Sequence, residues 1–106
     1  MLFQLGSGLL DTCVLSVVSR GDAYGYTLTQ KVKKVVDISE STLYPVLRRL
    51  QKDGYLTTYD EAIAGRNRRY YRLTDSGKVK LDEAVKDWKA FSCSVDELLM
   101  GGDINE

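Results

Sequence analysis

Apolar positions recur at helical spacing in four stretches of this chain, and two runs rich in Tyr and Thr interrupt them. Residues 5–19 carry Leu5, Leu9, Thr12 and Ser16 on one face and Leu10, Cys13, Val14, Val17 and Val18 on another. That spacing predicts a helix buried on more than one side. Gly21 suits its end, and Asp22 suits the N-cap of a second helix in AYGYTLTQKVKKVV (23–36), with Tyr26, Leu28, Val32, Val35 and Val36 as apolar positions. ISESTLYPVLRRLQKDG (38–54) predicts a third helix, with Leu43, Val46, Leu47 and Leu50 inward, Ser39 or Ser41 as cap and Gly54 as stop. Pro45 costs roughly 3 kcal/mol in a helix interior and little in a first turn, so a start near Ser41, or a bend there, is expected. YLTTYD (55–60) and RRYYRLT (68–74) read as strands joined by EAIAGRN (61–67), which holds the glycine a hairpin needs. In the returning strand Tyr71 and Leu73 share one face, opposite Tyr70 and Arg72. Thr74 then caps a last helix over roughly 75 to 100, with Leu81, Ala84, Val85, Trp88, Phe91, Val95, Leu98 and Leu99 apolar. No repeat or linker interrupts the order helix, helix, helix, strand, strand, helix. The expected fold is mainly α with a two-stranded β wing.

At 106 residues the chain is one small domain, and 43% apolar content is enough to fold it. The absence of His removes Ser-His-Asp and Cys-His machinery and most zinc sites. Cys13 and Cys93 are too few for a disulfide framework and read as buried thiols. A redox role would need an exposed, low-pKa thiolate, and only Lys89 stands near one of them in sequence. No basic segment precedes Arg20, and no apolar run approaches the ~18 residues of a membrane span. A soluble cytoplasmic protein is expected, without signal peptide, metal or cofactor. No nucleophile–base pair is visible, so an enzyme is the weakest class.

The net charge of zero hides an asymmetry. Residues 1–80 carry 13 Lys and Arg against 8 Asp and Glu, and residues 81–106 carry 2 against 7. The excess is therefore +5 followed by −5, and an anionic partner is expected for the first part. The sharpest concentration is GRNRRYYRLTDSG (65–77), with four arginines. A helix, a short turn, a second helix and then a basic hairpin is the plan of a winged helix-turn-helix. On that plan the third helix enters the major groove of double-stranded DNA, presenting Ser41, Thr42, Tyr44, Arg48, Arg49 and Lys52 to bases and phosphates. The hairpin lies along the backbone as a wing, with Arg66, Asn67, Arg68 and Arg69 near its tip. The plainer reading is a solvated basic face, with Arg72 paired to Asp60 or Glu61 in an exposed contact worth ~0–1 kcal/mol.

The segments GDAYGYTLTQKV, STLYPVLRRLQKDGYL and GRNRRYYRLTDSG together resemble the PadR-like transcriptional regulators, and the resemblance covers nearly the whole chain. Its short length and single C-terminal helix look like the small branch that includes multidrug-responsive repressors. The resemblance implies a homodimeric repressor on a palindromic operator, with residues 1–74 as the DNA-binding domain and 75–106 as the dimerisation helix and tail. Val85, Trp88, Phe91, Val95, Leu98 and Leu99 would form the interface with the first helix. It also implies a possible planar aromatic or phenolic effector, stacked on Trp88 against Leu5, Leu9, Thr12 and Ser16, with Ser92 one turn further on. Trp88 as a simple core or interface anchor stands beside that reading. A winged helix that contacts only proteins, and a constitutive repressor with no effector, are the rivals.

Overall fold

The apolar stripes of the first three helices converge on one core. The computed structural model describes residues 7–101. Within it α1 (Ser7–Ser19), α2 (Gly25–Lys33) and α3 (Glu40–Lys52) bury Leu10, Val14, Leu15, Val18, Leu28, Val32, Leu43, Leu47 and Leu50 against one another. Leu43, Leu47 and Leu50 are fully enclosed, as their spacing along one face of α3 requires. In α2 only the inner part of the expected apolar set is buried: Tyr26 and Val35 are exposed. Thr29 is the buried polar side chain, and its hydroxyl satisfies itself by donating to the Tyr26 carbonyl at 2.8 Å.

The expected wing is present, with one addition. β2 (Leu56–Ile63) and β3 (Arg66–Leu73) pair antiparallel, and a two-residue strand β1 (Ala23–Tyr24) adds to the other side of β3. The sheet order is β1-β3-β2, so the sheet has three strands rather than two. β1 displaces the predicted start of α2. Tyr24 stands at the N-cap with no side-chain cap bond, and Asp22 turns instead to Tyr59 and Arg72. The hairpin strands are also longer than their Tyr/Thr-rich cores. Asp60 faces Arg69 and Glu61 faces Arg68, and opposite charges across a ladder favour pairing. The turn shrinks to Ala64 (φ 53) and Gly65 (φ 78), the pair of positive φ angles that a two-residue hairpin turn demands.

α3 begins earlier than Pro45 suggests. Ser39 is its N-cap, accepting from the Thr42 amide at 3.3 Å, and Pro45 sits inside the helix beyond its first turn. The Ser41 carbonyl therefore loses its intrahelical donor. Gly54 (φ 87) closes the helix.

α4 (Asp75–Leu99) starts at a compact joint that accounts for the run LTDSG. The Thr74 hydroxyl accepts from the Gly77 amide at 2.9 Å and donates to the Gly54 carbonyl at 2.6 Å, and Ser76 donates to that same carbonyl at 2.9 Å. Gly77 lies so close to the Tyr55 carbonyl that no side chain fits there. Past this joint α4 leaves the core. Its buried residues are Gly77 and Leu81, near its start, and Val85 is partly buried against the core. Leu98, Leu99 and Met100 are exposed. The described chain extends 63 × 27 × 21 Å, with α4 as its projecting part. No helix among the described residues is long and apolar enough to cross a membrane.

Candidate nucleic-acid interface

The outward side of α3 follows from its inner stripe. With Leu43, Leu47 and Leu50 turned in, Ser41, Thr42, Tyr44, Arg48 and Lys52 are turned out, and all five are exposed. The hydroxyls of Ser39, Ser41 and Thr42 cluster at the helix start, 3.0 and 3.1 Å apart. Glu40 in the first turn accepts from Gln30 of α2 at 3.2 Å and lies 3.5 Å from Lys33. This contact fixes α3 against α2 and leaves the hydroxyls at the surface. Arg49 behaves differently from its neighbours. Its guanidinium donates to Asp11 of α1 at 2.6 Å, and that bond raises its pKa above the ordinary value. It ties α3 to α1, away from the group around Arg48.

The wing divides its basic residues between two faces. Asn67 and Arg69 share the face of Tyr71, and Arg66 and Arg68 share the face of Tyr70. Arg66, Asn67 and Arg69 are exposed; Arg68 is half-buried, its guanidinium 4.8 Å from the centre of the Tyr24 ring. Tyr24, Tyr70 and Tyr59 continue this contact across all three strands, with ring centres 5.8 and 5.5 Å apart. Arg72 closes the row, 4.9 Å over Tyr59 and 3.1 Å from Asp22. The expected partner of Arg72, Asp60 or Glu61, is therefore replaced by Asp22. Asp60 pairs instead with Arg69 at 3.4 Å. Tyr59 donates to Asp22 at 2.8 Å, and this bond first, then Arg72, holds the Asp22 carboxyl below the usual carboxylate range.

Between α2, α3 and β3 lies a cleft of about 550 Å³ lined by Tyr24, Gly25, Tyr26, Tyr44, Arg48, Arg69 and Tyr71. It brings Tyr44, Arg48 and Arg69 together, as a joint surface of helix and wing requires. Sequence reasoning missed Tyr24, Gly25, Tyr26 and Tyr71. The signal was the glycine between two tyrosines in AYGY, followed by a tyrosine on the inward face of β3.

A second, apolar groove of about 330 Å³ lies between α1, α2 and α4. Leu9, Thr12 and Ser16 of α1 line it with Trp88 and Val85 of α4, joined by Cys13, Val17, Val32, Val35, Arg20 and Lys31. Leu5 lies outside the described residues, and Ser92 does not line the groove. Burial raises the Cys13 thiol pKa; Cys93 is exposed rather than buried. Trp88 and Phe91 lie against each other, ring centres 6.2 Å apart. Val95 is half-buried, and Leu98 and Leu99 are about 70% exposed.

An exposed helix set beside a basic hairpin on a three-helix core defines a DNA-binding winged helix of the transcription-regulator class. Residues 14–83 match the model of the transcriptional regulator PadR-like family, and the chain belongs to that family. It is similar over the full length of both chains to a Streptococcus mutans protein of known crystal structure, at 39% identity and a TM-score of 0.88. A PadR-like transcriptional regulator of Bacillus cereus is 36% identical, with 87% of this chain and 92% of that one covered and a TM-score of 0.79. A transcriptional regulator of Mycobacterium tuberculosis is 37% identical over 71 residues, 66% of each chain. The family is one of transcriptional regulators and not of enzymes.

Proposed function

We propose that the protein is a homodimeric, cytoplasmic repressor that grips a near-palindromic operator with two copies of the α3–wing surface. The observation that carries this reading is the pairing of two opposite surfaces on one small fold. Arg48, Lys52, Arg66, Arg68 and Arg69 are gathered on α3 and the wing, while the apolar stripe of α4 runs on past its own core to Leu99. Isolated apolar stripes of this kind are rarely left in water, and a second copy covers them. In this reading residues 1–74 bind DNA and residues 75–106 dimerise, with α1 packing on the partner's α4. Two-fold pairing sets the half-sites about one helical turn, ~34–36 Å, apart.

The groove beside Trp88 supports an effector site in the same dimer. Its volume lies at the low end of the ~300–1,000 Å³ range of ligand pockets, and a facing copy would enlarge and enclose it. An aromatic wall with Arg20 and Lys31 at hand suits a planar compound bearing a phenolate or carboxylate. Selection of duplexes from a random pool, repeated with and without planar aromatic compounds, tests the whole reading. Recovery of a palindrome whose affinity falls steeply with salt is the expected result. A protein that selects no duplex would favour a winged helix that contacts only other proteins. Quenching of Trp88 fluorescence, lost in Trp88→Ala while the dimer persists, is expected of the effector site; operator binding with no quenching by any compound would leave a constitutive repressor.

A further inference from the structure

The cleft between α2, α3 and β3 has features that the winged-helix plan alone does not require. Tyr71 is only 7% exposed, yet its hydroxyl makes no hydrogen bond to any described residue and its phenol lines the cleft. A hydroxyl on a buried ring, reached by solvent through the cleft and without a protein partner, is free to donate to a group that enters it. The ring is set there by Gly25: a methyl group on Gly25 would stand 3.3 Å from the Tyr71 Cε1. Gly25 is also the first residue of α2, and no side chain caps the amides of that first turn. Those amides carry the positive end of the helix dipole. Two guanidinium groups line the same cleft. Arg48 makes no ion pair among the described residues, and Arg69 has only Asp60, at 3.4 Å in an exposed contact. No carboxylate among the described residues lines the cleft itself.

We propose that this cleft seats one phosphate group of the DNA backbone, with the Tyr71 hydroxyl and the first-turn amides of α2 as neutral donors and Arg48 and Arg69 as flanking cations. The inference rests on the DNA-binding reading and deepens it. A phosphodiester fits better than a carboxylate, because several donors converge with two cations on a space large enough for a tetrahedral group. Its place between the recognition helix and the wing is where the backbone of a duplex must pass. A phosphate seated there fixes the depth at which α3 enters the groove. It carries no sequence preference of its own.

Tyr71→Phe tests this with little disturbance, since it removes only the unpartnered hydroxyl and keeps the ring against Gly25. The variant is expected to bind operator and unrelated duplex alike about 5- to 20-fold more weakly, at an unchanged thermal midpoint and an unchanged salt slope, because the missing donor is neutral. Arg48→Gln, on the exposed side of the cleft, is expected to lower the slope by about one unit for each protomer bound. Operators carrying single neutral methylphosphonates identify the seated group. At one position per half-site the replacement should weaken the wild type and add almost nothing to the Tyr71→Phe loss, the non-additivity expected of groups in contact. Fully additive losses at every position would overturn the proposal. So would a Tyr71→Phe protein that matches wild type while charge reversal at Arg68 and Arg69 abolishes binding, and that outcome leaves the DNA-binding reading intact. A wild type without salt-dependent affinity for any duplex would sink both. Perturbation of the Gly25 and Tyr26 amides by inorganic phosphate, abolished in Tyr71→Phe with duplex affinity unaffected, would make this a free-anion pocket and overturn the proposal.

Discussion

Charging the far end of α4 should take the proposed dimer apart without unfolding the domain. From Leu81 to Leu99 the helix runs about 27 Å, and none of its residues beyond Leu81 is fully buried. Leu99 is 71% exposed, and Val95, partly covered already, keeps a smaller share for a partner to cover. Full burial of a Val or Leu is worth about 1.5–3 kcal/mol. The remaining share gives about 1–3 kcal/mol per protomer and about 2–6 for a symmetric pair, an upper bound because free chains already cover some apolar area. Val95→Glu with Leu99→Glu removes that gain and places four carboxylates in the seam, beside the existing Asp96 and Glu97. If only half of the apolar term is lost, about 1–3 kcal/mol at about 1.4 kcal/mol per tenfold weakens association by about 5- to 140-fold. Sedimentation equilibrium from sub-micromolar to ~100 μM reads this directly, and circular dichroism checks that the helices and the core remain. Affinity for the proposed palindromic operator should fall sharply, and weak binding to an isolated half-site should persist. A doubly charged variant that still assembles like wild type refutes the seam, as does a folded wild-type monomer that binds operator tightly.

Reversing charge at Arg68 and Arg69 should weaken binding to all duplexes alike and lower the salt slope by about one unit for each phosphate no longer neutralised, as read by anisotropy across a salt series. Arg49→Gln should leave that slope unchanged and cost stability instead, about 0.5–1 kcal/mol once solvent screening of its partly exposed pair with Asp11 is allowed for; thermal melting and the same salt series separate the two roles. Gly77→Ala should cost about 2–3 kcal/mol, because the new methyl runs into the Tyr55 carbonyl and lies 2.8 Å from the Leu73 Cδ1, and the melting temperature should drop accordingly. The lowered carboxyl pKa of Asp22 contributes stability that is present above the ordinary carboxylate pKa, about 3.9, and is lost as pH falls through the lowered value. Asp22→Asn should flatten the acid limb of a melting-temperature profile below about pH 4, and an unchanged limb would show that the Tyr59–Asp22–Arg72 network carries no such linkage.

Much of the fold was legible because burial imposes a period. The stripe Leu43, Leu47, Leu50 marked α3, and Thr74 marked the start of α4 through the amide that its hydroxyl accepts. What escaped depends on partners far away in sequence. Ala23 and Tyr24 have no strand pattern of their own and form β1 only because β3 offers a free side, with Ala23 opposite Tyr71 and Tyr24 opposite Tyr70. Once they pair, α2 must start late and Asp22 cannot cap it. Likewise Arg49 is indistinguishable from Arg48 in sequence, and only the folded helix brings it to Asp11. The hairpin was longer than expected because its outer half is stabilised by charges facing each other across the strands, which leave no hydrophobic period to read.

The candidate interface was legible to the extent that charge marks it. An arginine on an exposed face suggests an anionic partner; Arg48, Arg66 and Arg69 are exposed, while Arg68 lies half-buried against the Tyr24 ring. A tyrosine announces nothing of the kind, since the same residue serves a core, an aromatic row or a donor site. Tyr70 and Tyr71 are adjacent in sequence and take opposite duties: one lies in the row with Tyr24 and Tyr59, the other is buried with its phenol on the cleft. The pleat of β3 separates them, and the pairing of β1 with β3 then brings Gly25 against the inward ring. The absence of a side chain at Gly25 is thus a structural cause of the cleft. It allows the start of α2 to approach Tyr71 closely, so that Gly25, Tyr26 and Tyr71 line one cleft with Arg48 and Arg69.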